Sequence, residues 1–358
     1  MHFVFKTRYG QDLDLFKHRG QRFWYGLLAL LLAAAPLTLS DFYLGEAAWV
    51  FIYAVAGIGV MLLVGYTGLV SLGHAAFLAI GAYAHAILMQ HGWPLPLSLL
   101  TAALLAAGVG FLLGRPTLRM TGIYLAIATL AFAAVVEQVI VHWQSMTGGF
   151  RGMVVPKAEL FGLDLSRPAP FYGLCLAVLL LSLWMALNVL RGPTGRAMNA
   201  VRDSEISAQS MGIDLAHVRS IAFALSAGFT GLAGGLFAHQ LGYLAPDAFT
   251  LLLSIQLLLM VVVGGLGSLH GVIFGAVFLG LLPQGIALLR DLLPPAVGQI
   301  PGLEPGVFGL ILMAFLIYEP LGLYGRWRKI RQFLEEFPLY RHATHKRQRS
   351  YLRTGRVR

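Results

Sequence analysis

The sequence predicts an all-α polytopic membrane protein of about ten transmembrane helices, and three observations predict it. Apolar residues make up 58% of the 358 residues and charged ones 12%, half the roughly 25% charged share of a soluble domain. The apolar residues gather into ten stretches, most of them close to the ~20 residues that a bilayer core takes per helix. Lys and Arg lie almost entirely between those stretches, as the positive-inside rule expects. The net charge of +10 is therefore a topological signal and not a nucleic-acid-binding one.

Residues 1–22 are polar, carry both charge signs and are too long for a signal-peptide n-region, so the apolar run that follows is an uncleaved first span. The ten spans run over residues 23–40, 48–65, 74–90, 94–113, 122–141, 171–190, 221–241, 251–263, 271–290 and 307–318. Three regions result: a cytoplasmic segment 1–22, a transmembrane domain 23–319, and a basic tail 320–358. Ten spans put both termini on one side. Twenty-two of the 26 Lys and Arg fall on that side, which makes it the cytoplasm. The single cysteine, Cys175, excludes a disulfide framework and sits in an apolar helix, as core or lipid-facing residue.

The second and third spans meet at Gly65-Tyr-Thr-Gly68-Leu-Val-Ser71-Leu-Gly73-His74, and the eighth and ninth at Gly264-Gly265-Leu-Gly267-Ser268. Glycine-rich breaks at membrane depth are tolerated only where backbone is buried or lines a cavity. In transporters they often mark the translocation path; the bland reading is a pair of tight turns with packing glycines. Further glycines (Gly81, Gly110, Gly231, Gly234, Gly275 among them) predict close helix–helix approach.

Glu137 is the clearest charge inside a span. A mid-bilayer charge costs about 2.5–3.5 kcal/mol on insertion scales. The ten Leu, Ile, Val and Phe residues of its span return roughly 3–6 kcal/mol. It stands four residues from the outer end, about 6 Å at 1.5 Å per residue, and so reaches either a vestibule or the interface. The external loop 143–170 carries Thr147-Gly148-Gly149-Phe150-Arg151, suited to a delivery partner or an entrance, or else a flexible connection. Trp327, Ile330, Leu334 and Phe337 recur at helical spacing among Arg326, Arg328, Lys329 and Arg331, an interfacial amphipathic helix on an anionic leaflet. Beyond it the tail reads as a basic disordered end.

The longest polar interruption is 191–220. Two short helices are expected there, the first N-capped by Thr194 and the second by Asp203 or Ser204. Gly212 supplies a left-handed stop after Met211, and Asp214 caps the next helix. So long and so structured a loop is a candidate docking surface. No P-loop is present, because none of the five lysines follows a glycine. Nothing matches a zinc-binding or nucleophile motif either, and no metal site or catalytic residue is expected. Energy from ATP would have to arrive through another subunit.

Several stretches together resemble one family, the permeases of branched-chain amino-acid ABC importers, and in particular their LivM-type member. They are Gly65 to Phe77 with Gly81-Ala82-Tyr83, Gly122-Ile-Tyr to Phe132, Thr147-Gly148-Gly149, Gly195-Arg196-Ala, Ala-Val-Arg202-Asp203-Ser-Glu205, Met211-Gly212-Ile213, Ser254-Ile-Gln256, Met260 to Leu269, and Glu319-Pro320-Leu-Gly322. The match runs in order from about Ala48 to Leu323.

The resemblance implies a type II-like importer bundle in the bacterial inner membrane. It implies as partners an H-type permease, two cytoplasmic ATPases that bind ATP and Mg, and an external solute-binding protein, with no cofactor in this chain. The 191–220 loop would be the coupling element, with Arg196, Arg202, Asp203 and Glu205 pairing with ATPase charges and Met211-Gly212 holding the turn. Gly68, Ser71, Gly73, His74, Glu137, Gln256, Gly264 and Gly265 would line or flank the pathway. Phe150-Arg151, Gln256 and Asp247 depart from the family pattern, and the first of these leaves room for urea, a short amide or an aromatic acid as solute. The alternative from another class is an ion-coupled secondary transporter.

Overall fold

The computed structural model describes residues 19–116, 120, 122–160, 163–291, 303–319 and 321–336. The helices, in chain order, are α1 Arg19–Thr38, α2 Asp41–Val60, α3 His74–Gln90, α4 Leu95–Gly114, α5 Ile123–His142, α6 Pro168–Arg191, α7 Pro193–Asp203, α8 Glu205–Ser210, α9 Leu215–Leu241, α10 Leu251–Gly264, α11 Leu269–Asp291, α12 Leu303–Tyr318 and α13 Gly322–Glu336. Seven helical stretches among the described residues are long and apolar enough to cross a membrane, and Phe23–Thr38, His74–Gln90 and Gly306–Phe315 are shorter apolar helices. Every expected span has its helix.

The bundle is built around α9, which packs against α2, α3 and α4. Its glycines make that possible. A Cβ on Gly234 would run into the Leu78 carbonyl of α3, and one on Gly231 would meet Ala106 of α4. Close backbone approach of this kind replaces the hydrophobic drive that lipid removes. The same device joins α10 to α11, where a Cβ on Gly275 would strike the Met260 carbonyl. Helix α6 lies on α2 with Phe51 and Tyr172 rings 5.1 Å apart, and the Tyr172 hydroxyl donates to the Leu32 carbonyl of α1 at 3.0 Å. Cys175 is a core residue. Helices α5 and α6 leave most of their apolar surface uncovered by the rest of the chain.

Three expectations need correction. The second span begins at Asp41 rather than at residue 48; α9 begins at Leu215, after the expected Asp214 cap, and runs unbroken into the span expected from residue 221. Both first turns carry polar residues that a hydropathy window rejects, yet the backbone continues into the membrane helix. The polar interruption thus ends at Asp214, and Val218, Arg219 and Ser220 are buried. Thr194 does not cap α7. Gly192 is the cap and Pro193 occupies the first helical position, where its fixed φ favours helix initiation and its missing N–H costs nothing. Finally, the loop 143–170 carries short secondary structure where an irregular connection was the bland expectation. Strand β1 Met153–Val154 pairs antiparallel with β4 Tyr243–Leu244, and β2 Glu159–Leu160 pairs with β3 Leu163–Asp164. The amphipathic helix is α13; the basic end expected beyond it lies outside the described residues.

Candidate functional site

Helices α7 and α8 form a bent pair that follows the C-terminal end of α6. The turn from α6 into α7 is tight at Gly195, where a Cβ would collide with the Leu190 backbone of α6. Met198 and Val201 of α7 and Ala208 of α8 are buried with Leu63, Leu69, Leu125 and Phe223, a small core that ties the pair to the bundle. Ser204 caps α8, its Oγ accepting from the Ser207 amide at 3.3 Å. Gly212 ends it at φ +83°, and Asp214 caps α9 through the Ala216 and His217 amides at 2.9 and 3.3 Å.

The charges of the pair are divided between inward and outward roles. Arg202 donates from Nη1 to the Gly65 carbonyl at the end of α2, and Glu205 forms an ion pair with the buried Arg219 of α9. Arg196 is exposed and donates to the Arg191 carbonyl at 3.2 Å, and Asp203 is exposed. The pair also presents apolar side chains. Ile206 on α8 and Met211 just past its end are each 84% exposed. Sequence reasoning passed over Ile206. Its signal was an isoleucine inside a stretch of Ser, Glu, Gln and Asp, with Ala208 already filling the inward position.

The two glycine breaks, distant in sequence, come together beneath this pair. Helix α2 ends in a π-helical turn, Met61–Gly65, and then unwinds to Gly73. The Gly267 amide lies 3.0 Å from where a Gly65 Cβ would stand and 3.2 Å from the Met61 sulfur, to which it donates. Arg202 reaches the same point, with Nη1 3.0 Å from the place of a Gly267 Cβ and Cγ 3.5 Å from that of a Gly68 Cβ. Gly68, at φ +73°, and Gly267, at φ +81°, are held in left-handed backbone. Gly264 and Gly265 are buried against Gly271 and the Leu321–Gly322 turn before α13.

Leu69, Ser71 and Gly73 of the unwound stretch are buried while Gly68 and Val70 are exposed, and polar side chains of three helices meet it and the first turn of α3. The Leu72 amide donates to Thr129 Oγ1 of α5 at 3.0 Å, and the Ala75 amide to Ser254 Oγ of α10 at 2.9 Å. His74 Nε2 is 2.9 Å from Ser226 Oγ of α9, and Ser71 Oγ accepts from the Gly73 amide at 3.2 Å. A Cβ on Gly73 would press on the Thr129 carbonyl. The non-helical backbone between α2 and α3 thus finds part of its hydrogen bonding in neighbouring side chains.

The other candidates sit apart from this junction. Glu137 is exposed on α5 next to exposed Gln138, two polar residues on a helix whose apolar side is largely uncovered. Gln256 is half-buried on α10. In the external loop Thr147 is buried and donates from Oγ1 to the Ile140 and Trp143 carbonyls at 2.6 and 2.9 Å. Gly148 and Gly149 have φ of +75° and +60°, and a Cβ on Gly148 would strike the Gly152 carbonyl. Thr-Gly-Gly therefore shapes the loop, while Phe150 and Arg151 are the exposed residues it presents.

Comparison with known proteins gives a consistent result. The family described as the permease component of the branched-chain amino acid transport system matches residues 42–317. The high-affinity branched-chain amino acid transport system permease protein LivM of Escherichia coli K12 is 36% identical over 85% of this chain and 75% of its own length. LivM of Salmonella typhimurium is 36% identical over 83% of the chain and 74% of its own length. The autoinducer 2 import system permease protein LsrC of Escherichia coli O9:H4 is 28% identical over 82% and 85%. No solved structure matches the chain.

Proposed function

The chain belongs to the branched-chain amino-acid transport permease family, and from that premise we propose that it is the membrane-spanning subunit through which an ATP-driven importer passes branched-chain or other small apolar amino acids. Family membership decides against the ion-coupled alternative. The chain is a conduit and not an enzyme: ATP and Mg bind to two cytoplasmic partner subunits, an H-type permease completes the pathway, and an external binding protein delivers the solute. Both termini and the α7–α8 pair face the cytoplasm, a reading supported by the twenty-two of 26 Lys and Arg on that side.

The observation that carries this reading is the division of labour on α7–α8. Its charges Arg202 and Glu205 bind the bundle, while Ile206 and Met211 stand 84% exposed beyond it. Large apolar side chains held out on a rigid, capped elbow suit the groove of a partner protein. Arg196 and Asp203 flank them as rim charges. Glu137 and Gln138, polar on an uncovered apolar helix, suit the side that meets the second permease and the pathway.

A second reading keeps the mechanism and changes the cargo to a more polar small solute. Gln256 in place of the family's acid and the exposed Phe150-Arg151 favour it. One experiment tests both. The chain is co-expressed with an ATPase pair, an H-type permease and candidate binding proteins, and ATP hydrolysis and labelled-solute uptake are measured in proteoliposomes. The proposal expects leucine-loaded binding protein to stimulate both. Stimulation only by a binding protein loaded with a polar solute supports the second reading. Uptake that persists without ATPase and collapses with an ionophore overturns both.

A further inference from the structure

An open groove of about 600 Å³ lies between α11 and α13. Phe274, Phe278, Leu282 and Gly285 of α11 form one wall, Trp327 and Ile330 of α13 the other, and Arg326 is its charged member. We propose that this groove is a binding site for one anionic phospholipid of the cytoplasmic leaflet, with an acyl chain between the two helices and the headgroup phosphate on the cations of α13. The proposal rests on the membrane orientation given above.

Three observations select this occupant. Apart from Arg326 the lining is hydrocarbon, aromatic or glycine, so a polar peptide finds no partner there. From Phe274 to Gly285 the groove follows α11 for eleven residues, about 16 Å at 1.5 Å per residue. That matches one leaflet, about half of a ~30 Å hydrocarbon core. The charge pattern then picks the headgroup. Arg326 lies 3.4 Å from Glu319, and Lys329, one turn beyond Arg326, is exposed at the rim of the same face. The chain's own residues 337–358 carry seven Lys and Arg and no Asp or Glu, so they would be repelled from these cations rather than drawn over them. A zwitterionic lipid could fill the groove but would gain nothing from the cations. An anionic headgroup gains about fivefold in occupancy for each one.

Glycine supplies a clean way to close the site. A Cβ on Gly285 meets no atom within 4 Å, so a larger side chain there grows into the groove rather than into protein.

The test uses the full chain with its partner subunits in nanodiscs, with Trp327 as reporter. Its signal is the fluorescence difference between the chain and its Trp327→Phe variant. Phosphatidylglycerol or phosphatidylethanolamine, each with brominated acyl chains, serves as quencher at equal mole fraction. The proposal expects stronger quenching by the brominated phosphatidylglycerol. Gly285→Phe should abolish quenching by either lipid. Lys329→Gln should leave quenching in place and reduce the phosphatidylglycerol preference by about fivefold. Equal quenching by the two lipids, no quenching because protein covers the groove, or indifference to Gly285→Phe would each overturn it. Uptake assayed on the same preparations separates the two ideas. Quenching without ATP-driven uptake undermines the permease reading, and uptake without selective quenching undermines only the lipid site.

Discussion

The guanidinium of Arg202 hydrogen-bonds to the carbonyl of Gly65, so the projecting helix α7 holds the terminal turn of the membrane helix α2. The contact is chemically apt. A helix C-terminus leaves carbonyls without intrahelical donors and carries partial negative charge, which a cation satisfies. The guanidinium also abuts Gly267, so one side chain touches both glycine breaks. Arg202 is one of two contacts between α7 and the stretch after α2, the other being the packing of Met198 and Val201 with Leu63 and Leu69.

Arg202→Gln should therefore separate hydrolysis from transport. A hydrogen bond from a charged donor contributes about 1.5–3 kcal/mol when buried, and exposure of Arg202 puts this one nearer to about 1 kcal/mol. That is roughly a fivefold shift in how firmly α7 and the breaks move together. Solute uptake should fall severalfold while ATPase association and the basal hydrolysis rate persist, with Arg202→Lys restoring part of the uptake. Parallel loss of association and uptake would assign Arg202 to the partner interface instead.

Ile206 and Met211 should behave in the opposite manner. Both are exposed, so Ile206→Asp and Met211→Asp remove nothing from the bundle. Burying such a side chain against a partner contributes about 1.5–3 kcal/mol. Each substitution should thus weaken co-purification of the ATPase subunits by roughly 10- to 100-fold, on the scale of 1.4 kcal/mol per tenfold. Membrane insertion and thermal stability of the isolated permease should not change. Retained ATPase binding in both variants would place the docking face elsewhere on α7–α8.

Glycine contacts differ enough to predict opposite outcomes from one substitution. A Cβ on Gly234 would overlap the Leu78 carbonyl, whereas one on Gly108 of α4 meets nothing within 4 Å. Gly234→Leu should prevent α9 from seating on α3, and detergent-solubilised protein should aggregate or lose its folded elution peak. Gly108→Leu should be tolerated, with a small gain from the better helix former, up to ~1 kcal/mol. Fluorescence-detected size-exclusion of the pair decides the matter.

Much of this was legible in the sequence because lipid simplifies the problem. Every backbone group must be satisfied within the protein, so apolar length alone places helices, and Lys and Arg assign sides. Caps were legible for a local reason: Ser204, Gly212 and Asp214 act within three residues of their own positions. Thr194 misled because Pro193 beside it offered a stronger start. What sequence could not supply were partners separated by many residues. Nothing local says that Arg202 meets Gly65, that Glu205 turns back to Arg219, or that Gly65 lies against Gly267. Two charges that looked available to another protein were already engaged in this one, and the apolar Ile206 was left facing out.

Gly212 gives the sharpest separation of local geometry from coupling. Its φ of +83° closes α8 and sets the direction in which Met211 is presented. No atom lies within 4 Å of a Cβ placed there, so Gly212→Ala tests the backbone conformation alone. The left-handed conformation costs a residue with a Cβ roughly 1–2 kcal/mol, which a loop anchored at Ala208 and capped by Asp214 can absorb. Uptake by Gly212→Ala should remain close to that of the parent. Gly212→Pro cannot adopt the conformation, because the ring fixes φ near −65°, and it loses the amide that donates to the Gln209 carbonyl at 3.0 Å. The elbow must then re-form with Met211 displaced, while the membrane helices on either side keep their own packing. Gly212→Pro should insert normally and elute as folded permease, yet hydrolysis by its ATPase partners should no longer drive uptake. Normal coupled transport in that variant would remove α7–α8 from the energy path.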